Sequence, residues 1–206
     1  MRLLRLSLLP LLMACAGAHA FEGGRFECGD LENPVGPYDY RKDKSLLSNV
    51  EQNHFNDNVR LLRKGQSASI AGDLDYLLRA YPNHPGGLDA IGRLGRRAKS
   101  EKLYGANYKV TCYFDRAVRL APDDPTVRVL FAQHLWMTGN RVLAVEQIEA
   151  AETLGADDAN TLYNIGIMKF EIGDKKAAKK YAIRAYDLGF PLPGLKNKLR
   201  RAGLWD

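Results

Sequence analysis

Two consecutive stretches of the chain decide the fold: residues 125–158 read PTVRVLFAQHLWMTGNRVLAVEQIEAAETLGADD, and residues 159–192 read ANTLYNIGIMKFEIGDKKAAKKYAIRAYDLGFPL. Small residues recur at the same places in both stretches, and the matched pairs are Ala132 and Gly166, Gly139 and Gly173, Ala144 and Ala178, and Ala151 and Ala185. A fixed period of this kind indicates a repeat architecture, in which each unit stacks on the next. We therefore expect two copies of one supersecondary unit.

Each stretch has the pattern of two helices. In the first stretch, Phe131, Leu135 and Trp136 follow helical spacing, and a second apolar series runs from Leu143 to Leu154. Thr138-Gly139-Asn140 separates the two series and has the composition of a turn. Each unit is therefore predicted to be a helix, a turn and a helix.

Weaker copies of the unit lie upstream. The segments Tyr81–Pro85 and Ala121–Pro125 both have prolines at their second and last positions, and they are separated by one period plus a short insertion near residues 100–107. Before them, residues 48–64 and 69–81 form a looser pair of predicted helices. The sequence thus predicts eight helices in four units, at about 45–84, 85–124, 125–158 and 159–192.

The repeats resemble the tetratricopeptide repeat (TPR) family, most clearly in the last unit. There the family's signature positions are occupied by Leu162, Ile165, Gly166, Gly173, Ala178 and Ala185. The resemblance implies an all-α fold in which the helix-turn-helix repeats of residues 45–192 stack into a right-handed superhelix.

The two flanks of the repeats have different patterns. Residues 21–44 contain Gly, Pro and Tyr without periodicity and are predicted to form an extended arm. The segment Phe190–Gly194 contains two prolines, which end the last repeat helix. Leu195, Leu199 and Leu204 then predict a short amphipathic capping helix within residues 193–206.

Residues 1–20 have the organisation of a cleavable secretory signal. A basic lead is followed by an apolar stretch from Leu6 to Met13 and by the small-residue motif Ala18-His19-Ala20. We expect export to a bacterial periplasm and a mature chain that begins at Phe21. The segment Leu12-Met13-Ala14-Cys15 also resembles a lipobox, which leaves an outer-membrane lipoprotein as the alternative.

The charge of the chain is mildly positive. The sequence has 30 Lys and Arg residues against 24 Asp and Glu residues, and loss of Arg2 and Arg5 with the signal leaves 28 against 24, or +4. The basic residues form no run of five or more, so a nucleic-acid partner is not expected.

Removal of the signal also leaves two cysteines, Cys28 and Cys112. An oxidising compartment favours a disulfide between them, which is the one intramolecular pairing they allow. Two buried free thiols are the alternative.

Catalytic and metal-binding patterns are absent from the sequence. The four histidines have no zinc spacing, and there is no nucleophile elbow, P-loop or dinucleotide-binding motif. Asp123-Asp124 and Asp157-Asp158 fall at predicted corners between units, where we expect them to cap the following helices. We expect no catalytic residues, no metal and no cofactor.

One helix face is the candidate binding surface. Gln133 and Trp136 recur one period later as Ile167 and Phe170, with Tyr163 one turn before them on the same face. In the TPR family this face lines a concave groove that holds an extended peptide or a partner helix. The preceding unit places arginines there, so the expected partner-binding residues are Arg93, Arg96, Gln133, Trp136, Tyr163, Ile167 and Phe170.

The function expected from this surface is non-catalytic binding of a protein or peptide. Two structural alternatives remain open: the aromatic stripe belongs to the core, or the arginines are simply solvated. Two functional alternatives also remain, namely a lipid-anchored scaffold of an envelope complex and an enzyme or enzyme accessory subunit. The last of these would use a groove carboxylate such as Asp89 or Glu171.

Overall fold

The computed structural model describes residues 27–205, and within this range it is all-α. The described part contains ten helices and no strand. The helices are α1 Leu47–His54, α2 Asp57–Arg60, α3 Ile70–Ala80, α4 Pro85–Ala98, α5 Val110–Leu120, α6 Pro125–Met137, α7 Arg141–Leu154, α8 Ala159–Ile172, α9 Lys175–Asp187 and α10 Gly194–Arg201.

The repeat period is visible in the helix starts. The interval from the start of α6 to the start of α8 equals the interval from the start of α7 to the start of α9. The predicted aspartate caps are confirmed: the side chain of Asp124 accepts a hydrogen bond from the Thr126 backbone N–H, and that of Asp158 accepts one from the Thr161 N–H, each at 2.9 Å. These caps satisfy N–H groups that lack partners within their own helices, so each unit begins at a defined residue.

The helices pack in sequence. Helices α4, α6, α8 and α10 contact one another consecutively, and each of α5, α7 and α9 packs against the helix before it and the helix after it. Small residues permit close approach: a Cβ at Gly166 on α8 would lie 2.6 Å from Leu195 Cδ2 on α10. The buried apolar residues form three clusters along the chain.

The predicted helix over residues 48–64 is wrong in one respect, because the structure divides it into α1 and α2. The division falls at Asn56, whose side chain accepts hydrogen bonds from the Asn58 and Val59 N–H groups and so begins a new helix. Soon after α2, Leu62 adopts a left-handed φ of 55°. Phe55, Val59 and Leu62 are nevertheless buried.

The insertion between α4 and α5 is anchored to α3. The carboxylate of Asp75, which is 3% exposed, accepts hydrogen bonds from the Asn107 backbone N–H at 3.0 Å and from the Tyr113 hydroxyl at 2.5 Å. The Ser69 hydroxyl donates to the Tyr104 carbonyl at 3.0 Å. A buried carboxylate needs such donors to offset its desolvation. The extra residues are therefore an ordered part of this unit.

The N-terminal arm is fixed to α5 by a disulfide. Cys28 and Cys112 are bonded, with their Cα atoms 5.2 Å apart, so the predicted pairing has the required geometry. Next to it, the fully buried guanidinium of Arg116 donates to the backbone carbonyls of Cys28 and Asp30. Arg119 Nη2 donates to the Gly29 carbonyl at 2.7 Å.

The arm then crosses α3 and reaches two corners between units. The Tyr38 N–H donates to the carbonyl of Ala80, at the end of α3, at 2.8 Å, and the Tyr40 N–H donates to the Asn83 side chain at 2.8 Å. Arg41 forms an ion pair with Asp123 at 2.8 Å. Residues 28–41 thus tie the first two units together from the outside.

Candidate functional site

The predicted binding residues lie on α4, α6 and α8, which contact one another in that order. Helical spacing puts Gln133, Trp136 and Met137 on one face of α6. The Gln133 side-chain amide donates to Asn164 Oδ1 on α8 at 3.0 Å, so the two helices are joined by a polar contact beside the aromatic residues.

Trp136 is both a packing residue and a surface residue. Its ring packs against two of the apolar clusters, yet the residue remains partly exposed. The Arg141 guanidinium lies 3.7 Å from the ring centroid, which is a cation–π contact. Met137, the next residue, is 61% exposed. This part of α6 therefore presents apolar surface around an aromatic ring whose position is fixed.

The α8 part of the stripe packs under the C-terminal helix. Tyr163, Ile167 and Phe170 are partly buried and pack against the cluster that contains Leu195 and Leu199 of α10. The Tyr163 hydroxyl accepts a hydrogen bond from the Leu195 N–H at 3.1 Å. These three residues lie in a helix–helix contact, and only part of their surface is exposed to solvent. The sequence predicted a capping helix but did not place it on these residues.

The arginines of α4 have different environments. Arg93 pairs with Asp89 at 2.8 Å and donates to the Arg60 carbonyl at 2.8 Å, while Arg97 donates to the Leu62 carbonyl at 2.9 Å. These two therefore hold the end of α2 and its following turn against α4. Their backbone partners could not be identified from spacing alone.

Among these arginines, Arg96 is the one whose guanidinium is free to contact a ligand. It is partly exposed and forms no hydrogen bond or ion pair with any residue that the structure describes. Burial lowers the pKa of Arg96, but a guanidinium remains charged at neutral pH. A partly desolvated cation without a hydrogen-bonded carboxylate is a suitable contact for an anionic group of a ligand.

A polar cluster of Glu101, Thr111 and His134 is the arrangement closest to catalytic chemistry. Thr111 Oγ1 lies 3.1 Å from His134 Nε2, and Glu101 Oε1 lies 3.6 Å from the same nitrogen. A nucleophile, base and carboxylate triad uses both ring nitrogens, whereas His134 Nδ1 is buried without a partner in the described part of the chain. The cluster therefore lacks the geometry of a catalytic triad.

The electrostatics of this cluster fit a packing role. Burial alone would raise the pKa of Glu101, but the nearby His134 ring and a hydrogen bond from the Thr111 backbone N–H outweigh it and lower the pKa to about 2. The His134 ring stacks on Phe114 with centroids 4.5 Å apart. Glu101 therefore stays ionised at neutral pH and links the insertion to the start of α5.

A cavity of about 330 Å³ lies beside the disulfide. Its charged lining residues are Glu27, Lys102 and Lys109, and Cys112 in its wall is already bonded to Cys28. This lining contains neither a carboxylate pair nor a free thiol.

Comparison with known proteins identifies no relative: no protein-family model matches the sequence, and no curated protein is similar to it. Between residues 27 and 205, no group of three or more His, Cys, Asp or Glu side chains is placed to hold a metal ion. In the same range, no helix has the length and apolar character needed to cross a membrane. The expected signal and Cys15 lie outside the described residues.

Proposed function

We propose that this chain is an exported, TPR-like repeat protein that binds an extended protein segment along α4, α6 and α8 and has no catalytic role of its own. The equal spacing of the helix starts in the last two units and the consecutive contacts of these three helices support a repeat stack of the TPR kind. The disulfide supports an oxidising compartment, which agrees with export to the periplasm.

The surface around Trp136 carries this proposal. Trp136 is partly exposed, and its ring is held between two apolar clusters and the Arg141 guanidinium. A fixed aromatic ring loses little conformational entropy on binding, and Trp is enriched among the residues that dominate interface energies. Exposed Met137 enlarges the apolar surface with a side chain that adapts to different partners.

The charge on the neighbouring helix α4 indicates the chemistry of the partner. Arg96 on α4 forms no ion pair among the described residues, and α4 packs against α6. We expect the bound segment to have an apolar side chain that packs on the Trp136 surface and an acidic side chain that pairs with Arg96. Tyr163, Ile167 and Phe170 would contribute only their exposed edges, because α10 packs against them.

The test is site-specific photocrosslinking in the producing cells. A photoreactive residue replaces Met137, which is 61% exposed next to Trp136, and the matched control replaces Tyr104, which is 92% exposed on the insertion. We expect discrete protein adducts from position 137 and none of the same mass from position 104. We also expect Arg96→Glu to reduce the adducts from position 137 while leaving the melting temperature unchanged.

Three outcomes would contradict the proposal. Identical adducts from both positions would indicate non-specific contact, and the absence of adducts at position 137 would remove the binding surface. Intact mass of the purified protein provides the third: an acylated N-terminal Cys15 would favour the lipid-anchored scaffold, whereas a chain that begins at Phe21 agrees with a processed periplasmic protein.

A further inference from the structure

The last repeat and the C-terminal helix carry a large excess of positive charge. Residues 159–205 contain ten Lys and Arg residues against three Asp and Glu residues, a formal charge of +7. Residues 125–158 contain two against five, a formal charge of −3. Because these stretches begin with consecutive copies of one unit, the repeat itself does not require this difference. The positive charge is a property of the C-terminal end.

Much of this charge lies on the outer side of α9. Lys175, Lys176 and Lys180 are exposed, Lys179 is partly exposed, and none of the four forms an ion pair with a residue in the described range. One period earlier, the equivalent positions on α7 are occupied by Arg141, Val142, Val145 and Glu146. Three of the four cations are therefore specific to α9.

The stability of α9 does not explain these lysines. Lys175 and Lys179 are four residues apart, as are Lys176 and Lys180, and like charges at this spacing repel each other on a helix. Two of the four lie in the first turn, where the helix dipole disfavours positive charge and where the nearest acidic residue along the chain is the N-cap Asp174. A bound anionic surface would relieve both effects.

Exposed apolar side chains accompany the lysines. Ile183 is 41% exposed and lies one turn after Lys179 and Lys180 on the same face of α9. In the segment that follows α9, Leu188 is 55% exposed and Leu192 is 60% exposed. The charged face thus leads into a short apolar segment.

Aromatic residues lie at the same end. The Trp205 ring meets the Tyr186 ring edge-on with centroids 5.6 Å apart, and Lys196 Nζ lies 5.3 Å from the Trp205 centroid. Both rings are partly exposed. Trp and Tyr with neighbouring lysines are the residues that favour the interface between water and lipid.

We propose that the outer face of α9 and the segment 188–192 bind the surface of an anionic lipid bilayer. Lysines are attracted to lipid phosphates as point charges and need no fixed geometry, and the exposed Ile and Leu side chains enter the boundary of the acyl chains. A nucleic acid or a purely acidic polypeptide would use the lysines but would leave Leu188 and Leu192 in water. This surface shares no residue with the partner surface proposed on α6, so either proposal can fail alone.

The experiment is vesicle flotation. The wild type and all variants are purified from the producing cells in the same way, so that they have the same N terminus. Vesicles of phosphatidylcholine alone are compared with vesicles that also contain phosphatidylglycerol. We expect binding to the anionic vesicles and much weaker binding to the neutral ones. The triple variant Lys176→Glu, Lys179→Glu and Lys180→Glu should bind the anionic vesicles at least about a hundredfold more weakly, since each lysine contributes roughly fivefold.

The matched charge control is Lys64→Glu, Lys102→Glu and Lys109→Glu, which changes the net charge equally at exposed positions far along the chain. This control should keep most of the binding. A second variant, Leu188→Ser with Leu192→Ser, keeps the charge and removes exposed apolar side chains. It should weaken vesicle binding about tenfold or more and leave binding to polyglutamate or duplex DNA unchanged.

Four results would overturn the proposal. Equal binding to neutral and anionic vesicles, or no binding to either, would show that anionic lipid is not recognised. An equal loss in the control would assign the attraction to net charge alone. If the leucine variant binds the vesicles like the wild type, the surface binds polyanions rather than a bilayer. Circular dichroism of each variant confirms that the helices are retained.

Discussion

The first half of the described chain and the second half are held together in different ways. Residues 27–124 contain the disulfide, the buried Arg116 and the buried carboxylates of Asp73, Asp75 and Asp115. Residues 125–205 contain regular helix pairs whose apolar clusters are mostly small and aliphatic side chains, although they also bury Arg128, which donates to the Gln147 side chain at 3.1 Å. The units that depart most from the repeat pattern are thus the ones that contain the disulfide and most of the buried charged groups.

This difference has a physical reason. Regular repeats bury their apolar faces against their neighbours, and nearest-neighbour packing stabilises the stack. The first unit has a broken first helix and the second has an insertion, so both bury their faces less evenly and leave backbone groups that need partners. Asp75 and the arm supply such partners: Asp75 accepts from the Asn107 N–H, and the Tyr38 N–H of the arm donates to the Ala80 carbonyl. The regular units need fewer such contacts, which leaves their outer surfaces free to carry binding residues.

The largest expected effect comes from the disulfide. Cys28→Ser with Cys112→Ser should lower the free energy of unfolding by about 3 to 4 kcal/mol, because the bond closes a long loop in the unfolded chain. The bond spans 84 residues. Urea unfolding of the oxidised wild type and of this variant measures the difference.

Hydrogen exchange of the same variant shows which helices the disulfide stabilises. Amides of α3 and α5, which the arm contacts, should lose protection, whereas amides of α7 and α9 should keep it. Equal loss of protection in all four helices would show that the two halves are one cooperative unit and that the cross-links serve both.

A smaller effect is expected at the C-terminal end. Leu195 on α10 is fully buried, and Leu195→Ala should destabilise the protein by about 2 to 3 kcal/mol through lost packing and a cavity. Leu192→Ala is the matched control, because Leu192 is 60% exposed and should change stability by less than about 0.5 kcal/mol. Similar urea midpoints for the two variants would mean that α10 does not stabilise the last unit.

The smallest effect is a pH dependence at His84, the N-cap of α4. Its Nδ1 accepts a hydrogen bond from the Gly87 N–H at 2.9 Å, so the neutral ring is the form that caps the helix. Burial lowers the pKa of His84, although the hydrogen bond with Glu51 opposes this. The unfolded chain therefore takes up a proton first as the pH falls below about 6.5, and stability should decline there.

The variant His84→Asn checks this assignment. Asn keeps a capping oxygen but does not titrate, so stability between pH 7 and pH 5 should decline less steeply than in the wild type. The comparison uses the slope of the unfolding free energy against pH, because loss of ring contacts with Tyr40 and Phe55 lowers the variant's stability at every pH. An unchanged slope would assign the pH dependence to other groups.

The parts of the fold that the sequence predicted correctly depend on local or repeated signals. The starts of α6 and α8, their aspartate caps and the pairing of Cys28 with Cys112 follow from spacing and composition. The break at Asn56 was missed because the apolar residues on both sides keep helical spacing, so periodicity alone does not show the new cap.

The candidate site depends on contacts between distant segments, which a single sequence does not specify. Spacing put the α4 arginines on one face but could not show that Arg93 and Arg97 bond to backbone carbonyls at the end of α2 and in the turn after it, while Arg96 does not. Likewise, the amphipathic pattern of α10 predicted a cap without showing that it packs on Tyr163. Binding by these residues stays a prediction.

Whether the surface around Trp136 binds a partner is decided by measuring stability and crosslinking on one variant. Trp136→Ala is introduced into the protein with the photoreactive residue at position 137. Since Trp136 is only partly buried, we expect a loss of about 2 kcal/mol in stability, less than the roughly 3 to 5 kcal/mol for a fully buried ring. If the Trp136 surface binds the partner, the adducts disappear while the helical content is kept. Unchanged adducts from folded protein, with a stability loss as large as that of a fully buried ring, would contradict binding at this surface and assign Trp136 to the core.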